Sequence, residues 1–148
     1  MTPQLALRAA ALGGMLAASA VSSANAAPMP SACSMLPLAN VQSIVGAPVT
    51  IFHDQAPVMA RDGLEATNCT YMVSLRGGLS ASVWLGRGSP ARIAAMHQKY
   101  GTMAKRPGAD GVRGNTIAVV NVANAARAGV VYRPDLSKKL LDAVLSKV

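Results

Sequence analysis

Two stretches in the middle of the chain, residues 68–75 and 79–85, alternate apolar and polar side chains with the two-residue period of a β-strand. The glycine-bearing turn Arg76-Gly77-Gly78 lies between them. The pattern predicts an antiparallel hairpin that is covered on its apolar face only. The apolar face comprises Cys69, Tyr71, Val73, Leu75, Leu79, Ala81, Val83 and Leu85, and the polar face includes Thr70, Ser74, Ser80 and Ser82.

Three other segments carry apolar residues three and four positions apart, which predicts helices. The first begins near Pro37 and ends at Gly46, the second is capped by Ser89 and ends at Gly101, and the third is capped by Asp135. The residues predicted to be buried on these helices are Leu38, Val41, Ile44 and Val45, then Ile93, Met96 and Tyr100, then Leu136, Leu140, Leu141, Val144, Leu145 and Val148.

The remaining strand signals flank these helices. Residues 48–54 are rich in β-branched and aromatic side chains and predict a first strand, whereas residues 55–66 contain a proline and an Asp-Gly pair and predict a loop. Residues 105–115 predict a charged loop. Residues 116–123 and 126–133 predict a second hairpin, joined by an Ala-Asn-Ala turn.

The predicted element order is α-β-β-β-α-β-β-α. Because runs of strands with short connections alternate with helices, the order favours an α+β domain in which an antiparallel sheet of about five strands carries two to three helices on one face. The 122 residues from 27 to 148 predict a single domain. Since aromatic residues make up only 3% of the chain, its core must be built from Val, Leu, Ile, Ala and Met.

Residues 1–26 predict a secretory signal peptide. Arg8 precedes an apolar run, residues 9–21, that is too short and too interrupted by glycine to span a bilayer as a stable helix. Ala24-Asn25-Ala26 places small side chains at the two positions that signal peptidase recognises, which predicts cleavage after Ala26. We therefore expect a periplasmic or secreted protein with no transmembrane segment in its mature chain, residues 27–148.

The chain has two cysteines, Cys33 and Cys69, and an oxidising compartment favours a disulfide between them. The alternative is acylation of Cys33, but residues 30–32 lack the aliphatic residue that usually precedes a lipidated cysteine. A zinc site would need more ligands at closer spacing than His53 and His97 could supply. The sequence therefore predicts a disulfide, and it indicates neither a metal nor a cofactor.

The chain is basic, with a net charge of +8 that falls to +7 when the predicted signal peptide and its Arg8 are removed. Such a charge favours anionic partners, and the cell envelope offers phosphate-bearing lipids and polymers. Nucleic acid is not indicated, because the basic residues are scattered and there are few aromatic side chains to stack on bases.

Several short patterns along the chain also resemble a known group of proteins. They are C-x-x-L at residues 33–36, V-x-x-I-V-G-A-P-V at 41–49, N-C-T-Y at 68–71 and G-A-D-G-V at 108–112. This Cys-helix-Gly and Cys-x-Tyr arrangement resembles small exported bacterial proteins of unknown function, many of them lipoproteins, across most of residues 33–148. The chain departs from them at Pro37, where a capping Ser or Thr is expected, and in its lack of a good acylation motif. The resemblance implies fold and compartment, with no catalytic residues to carry over.

The best candidate for ligand chemistry is the predicted strand-to-helix corner at residues 83–92. A glycine-rich connection into a helix N-terminus can present backbone N–H groups to an anion, and Arg87, Gly88, Ser89 and Arg92 cluster there. We expect this corner to bind a phosphate, sulfate or carboxylate. The alternative is an ordinary capped turn, because Gly-x-Gly alone does not define a nucleotide site.

No catalytic constellation is evident. His53 and Asp54 are adjacent on a predicted strand and so face opposite ways, and His97 is expected to be a half-buried residue one turn after Ile93 on a helix. The sequence predicts an exported, non-catalytic binding or accessory module for an anionic ligand or envelope component. The alternative is a protein-interaction or inhibitor-like domain. A small hydrolase and a copper- or haem-binding protein are more remote alternatives. The methionines do not cluster as thioether ligands for copper, and no catalytic constellation supports a hydrolase.

Overall fold

The computed structural model describes residues 27–73, 78–102, 108–126 and 129–148. The predicted signal peptide, as well as Arg76 and Gly77 of the first predicted turn, lies outside these ranges. The elements are α1 (Ala32–Met35), α2 (Leu38–Val45), β1 (Val49–Met59), β2 (Glu65–Val73), β3 (Leu79–Arg87), α3 (Pro90–Thr102), β4 (Ala109–Arg113), β5 (Thr116–Ala126), β6 (Gly129–Tyr132) and α4 (Pro134–Leu145).

The strands form one open antiparallel sheet, which confirms the predicted α+β class. Its order is β1-β2-β3-β5-β4, and β6 also pairs with β5. Strands β4 and β6 both pair with the same side of β5, at different places along it. Strand β4 pairs with residues 116–120 of β5, and β6 pairs with residues 123–126. Within the described ranges the sheet therefore has six strands, one more than the sequence predicts.

Three helices, α1, α2 and α4, cover one face of the sheet. The predicted hairpin face contributes Tyr71, Val83 and Leu85, which are fully buried in one hydrophobic cluster with Leu140 and Val144 of α4. Removing such side chains from water contributes roughly 1.5–3 kcal/mol each. The predicted stripes of α2 and α4 both pack on this core, since Val41, Leu136 and Leu141 are buried and Leu38, Ile44, Val45 and Leu145 are partly buried.

The disulfide between Cys33 and Cys69 joins α1 to β2 beneath these helices, as predicted, with 5.1 Å between the two Cα atoms. A hydrogen-bond relay lies beside it. The buried Thr67 hydroxyl accepts from the backbone N–H of Ala32 at 3.0 Å and donates to the carbonyl of Gln55 at 2.6 Å. The four-residue α1 is therefore held to the sheet by a covalent bond and by hydrogen bonds.

The remaining helix, α3, packs on the opposite face of the sheet. Trp84 and Ile117 alternate along their strands with core residues and so point to this second face. The predicted stripe of α3 is confirmed, because Ile93 and Met96 are buried there against Leu64 and Ile117, with Tyr100 partly buried. The sheet thus has helices on both faces, and α3 covers only one end of the second.

Two predicted loops contain strand residues. Strand β1 continues to Met59 through two irregularities in its pairing with β2, and the connection between these strands is confined to residues 60–64. There the carboxylate of Asp62 accepts from the N–H of Leu64, and Gly63 has a φ of +77°, which suits glycine. Strand β4 lies within the second predicted loop. Its Asp and Gly residues are unfavourable in strands, so the sequence pattern does not indicate a strand there. The segment is nevertheless extended because it pairs with β5.

Two further predictions about turns and caps are wrong. The Ala-Asn-Ala segment, residues 123–125, continues β5 and pairs with β6, so it is not the turn of this hairpin. Helix α4 has Arg133 as its N-cap, and Asp135 lies inside its first turn. The side-chain hydrogen bond from Arg133 is the main cause of a lowered pKa at Asp135. A negative charge in the first turn still suits the helix dipole.

Candidate functional site

The predicted anion-binding corner forms the connection between β3 and α3. Ser89 caps the helix as predicted, because its hydroxyl accepts from the backbone N–H of Arg92 at 3.4 Å. The N–H of Gly88 donates to the carbonyl of Asn115 at 3.1 Å, which ties the corner to the β4–β5 turn. The N–H group of Gly88 therefore already has an acceptor within the protein and helps to hold the corner in place.

The two arginines of the corner have different partners. Arg87 Nη2 lies 2.6 Å from Glu65 Oε2 on the neighbouring strand, so its charge is compensated. Arg92 Nη1 donates to the carbonyl of Gly63 at 2.7 Å, a bond that leaves the positive charge uncompensated. The structure places all four predicted residues at one end of α3, and Arg92 is the cation of this corner that donates to a neutral acceptor.

Arg92 also lines a shallow cavity of about 170 Å³ between α3 and the β1–β2 turn. We call this cavity the α3 groove; it is formed by Asp62, Arg92, Ala95, Met96 and Lys99. The helical members are spaced at three and four residues, so they share one face of the helix. The groove carries two cations and one carboxylate, and that carboxylate also stabilises the turn.

A second cavity, of about 210 Å³, opens on the face of the sheet that α3 leaves uncovered. We call it the sheet pocket. It is lined by Ser82, Trp84, Tyr100, Gly108, Ala109, Asp110, Val119 and Asn121. Strands β3 and β5 form its base, while the end of α3 and the start of β4 provide its walls. The sequence suggested only a polar sheet face at this point.

Two aromatic side chains form one wall of the sheet pocket. The ring centroids of Trp84 and Tyr100 lie 6.2 Å apart, with an interplanar angle of 45°. Trp84 also lies over Gly86, where a Cβ atom would come within 2.5 Å of its ring. The glycine therefore makes room for the indole, a requirement that alternation of apolar residues does not reveal.

A histidine and an aspartate meet beside the sheet pocket. His97 Nδ1 of α3 lies 2.9 Å from Asp110 Oδ2 of β4. Oδ2 is buried against this imidazole and accepts no hydrogen bond from any other group in the part of the chain that the structure describes. The sequence predicts His97 as a half-buried residue within a helix and Asp110 in a loop, so it could not pair them.

The rest of the described chain adds no metal centre. Within residues 27–73, 78–102, 108–126 and 129–148 there is no group of three or more His, Cys, Asp or Glu side chains positioned to hold a metal ion. No helix in the same ranges is long and apolar enough to cross a membrane.

Fold and cavities together define a disulfide-bonded α+β domain with an open antiparallel sheet and two cavities beside one helix. Comparisons with protein-family models, with curated proteins and with solved structures found no match to this chain. The resemblance to small exported bacterial proteins stays a prediction.

Proposed function

We propose that this protein is an exported, non-catalytic binding or accessory module that engages an anionic ligand or envelope component through its basic surface. The disulfide supports an oxidising compartment. The observation that carries the ligand class is the position of Arg92, which the carbonyl of Gly63 holds at the wall of the α3 groove. The proposed anion site therefore lies along the side of α3 and not at the backbone N–H groups where that helix begins.

The charges around the α3 groove favour an anion. Arg92 and Lys99 together exceed the single charge of Asp62, and the bond to Gly63 uses one of the five N–H donors of the guanidinium. Anchoring the guanidinium also lowers the entropy that it would lose on binding. A phosphate or carboxylate could accept from Arg92 in a charge-assisted hydrogen bond.

The experiment compares two exposed arginines that each donate to a main-chain carbonyl. Arg113 is also exposed and also donates to a main-chain carbonyl, that of Leu145, at 2.8 Å, but it lies away from the groove. Arg92→Gln and Arg113→Gln therefore change net charge equally. Binding to vesicles of anionic phospholipid, with neutral phosphatidylcholine vesicles as the control, would be measured by co-sedimentation at low and high salt.

We expect Arg92→Gln to weaken vesicle binding about fivefold, since one cation near such a surface contributes about 1 kcal/mol, and Arg113→Gln to weaken it less. High salt should reduce binding by all three proteins. Equal losses for the two variants would show that net charge alone acts and would reject the groove. Binding that withstands high salt would reject the anionic ligand altogether.

One observation favours the alternative of a protein-interaction domain. Strand β1 lies at the edge of the sheet and exposes large apolar side chains, with Phe52 and Met59 each 72% exposed. A partner could cover these side chains or pair with the free edge. Recovery of one protein partner at high salt, and its loss in Phe52→Ser but not in Arg92→Gln, would support this alternative over the anionic ligand.

A further inference from the structure

The sheet pocket has a chemistry that the proposed anion site does not share. We propose that it binds a small organic cation, a primary ammonium or a guanidinium on a short apolar body. Asp110 acts as the counter-ion, and Trp84 and Tyr100 form the aromatic wall. This proposal rests on different residues from those of the α3 groove, so each can fail without the other.

The size of the sheet pocket limits the ligand. Its volume of about 210 Å³ is below the roughly 300–1,000 Å³ of sites that enclose drug-sized molecules. The lining combines apolar groups of Trp84, Tyr100 and Val119 with polar groups of Ser82, Asp110 and Asn121. A compact ligand with one charged group and a short hydrocarbon portion matches this mixture.

The sign of the ligand charge follows from Asp110. It is the one acidic residue among the described residues that line the cavity, and these lining residues include no Lys, Arg or His. Its Oδ2 is buried against His97 Nδ1, but the side chain as a whole is 30% exposed and lines the cavity. A carboxylate only accepts hydrogen bonds, so a ligand with N–H donors and positive charge complements it, whereas an anion would be repelled.

The aromatic wall favours the same ligand. A cation within about 6 Å of an aromatic face is attracted by the ring, and tryptophan is the strongest partner for such a contact. Trp84 is fixed by its close packing over Gly86 and by its contact with Tyr100. The rim of Ser82 and Asn121 adds polar groups, and the Ser82 hydroxyl already lies 3.3 Å from the amide oxygen of Asn68.

Trp84 allows a direct assay because it is the single tryptophan of the chain. Its fluorescence would be followed while propylammonium or methylguanidinium is added at constant ionic strength and pH. Propanol, methyl glucoside and propionate serve as neutral and anionic controls. We expect a saturable change in the millimolar range or tighter with the two cations only. A saturable response to methyl glucoside or to propionate, or no response to either cation, would overturn the proposal.

Three variants separate ligand binding from a structural role for the Asp110 and His97 pair. Asp110→Asn keeps the shape and removes the charge, and we expect it to weaken cation binding by at least about tenfold. The control Asp142→Asn removes a charge from an exposed ion pair on α4 and should bind the cation like the parent protein. Thermal unfolding would verify that each variant is folded.

His97→Gln gives the opposite test. It removes the side chain that lies against Asp110 but keeps the carboxylate, so we expect cation binding at least as tight as in the parent protein. If Asp110 acted only by fixing His97, both variants would lose the response to a similar degree, and that result would overturn the proposal. Arg92→Gln, which alters the α3 groove, should leave the response of Trp84 to cations unchanged.

Discussion

Removal of the disulfide is the perturbation whose effect on stability follows most directly from the structure. Cys33 and Cys69 are separated by 36 residues, and Cys69 is fully buried. Replacing both by alanine releases that loop in the unfolded chain and leaves α1 held by noncovalent contacts. Because the bonded atoms lie inside the core, the folded structure should otherwise remain close to that of the parent protein.

The magnitude comes from the entropy of closing the loop. For 36 residues the chain-entropy relation gives about 13 cal/mol/K, which is about 4 kcal/mol at 25 °C. Single domains are stabilised by roughly 5–15 kcal/mol in total, so this loss is a large part of the whole. For a domain of about 120 residues we expect the melting temperature to fall by about 15 °C.

The assay is urea unfolding followed by circular dichroism, with the oxidised parent protein, the reduced parent protein and the Cys33→Ala/Cys69→Ala variant measured side by side. Reduction and substitution should lower the free energy of unfolding by similar amounts, with an unchanged or larger dependence on urea. A loss below about 1 kcal/mol in both would refute the loop-entropy argument. It would mean that the Thr67 hydrogen bonds and core packing already hold α1 in place.

Three other perturbations give distinct results. Burial, with a smaller contribution from the charge of Asp54, raises the pKa of Tyr71 above its usual 10.0. The folded state therefore keeps this proton to higher pH than the unfolded state, and the free energy of unfolding should fall above about pH 10 by up to about 1.4 kcal/mol per pH unit. Urea titrations of Tyr71→Phe should lack this pH-dependent loss. Gly86→Ala places a methyl group against Trp84, so it should lower the free energy of unfolding by about 1–3 kcal/mol and shift the tryptophan fluorescence emission. An unchanged emission spectrum would contradict the packing of Trp84 over Gly86. Leu64→Ala removes a fully buried side chain and should lower the free energy of unfolding by about 2–5 kcal/mol in the same urea assay. A loss under about 1 kcal/mol would mean that neighbouring side chains fill the space that Leu64 leaves.

The fold could be predicted where local pattern and tertiary packing agree. The alternation in β2 and β3 and the stripe of α4 reflect one buried face each, so the apolar period identifies both the element and the side that faces the core. Strand β4 could not be found in this way. Its residues Ala109–Arg113 contain Asp and Gly, and its extended form depends on hydrogen bonds to β5 that no local pattern encodes.

The same reasoning explains which site residues the sequence could indicate. Arg87, Gly88, Ser89 and Arg92 are close in the chain, so their proximity in space follows from one strand-to-helix connection. The contacts of Arg87 with Glu65 and of Arg92 with Gly63 join elements that are distant along the chain and cannot be derived locally. The sheet pocket depends on such distant contacts throughout, because its lining residues come from three strands and one helix.

Both cavities depend on how α3 packs, and the disulfide does not reach them. Leu64 and Ile117 hold α3 on the second face of the sheet, where Arg92 lines one cavity and Tyr100 lines the other. The disulfide joins elements on the first face, within a separate hydrophobic cluster. Loss of the disulfide should therefore reduce global stability while a protein that remains folded keeps both cavities. Loss of Leu64 should disturb α3 directly and, with it, the geometry of both.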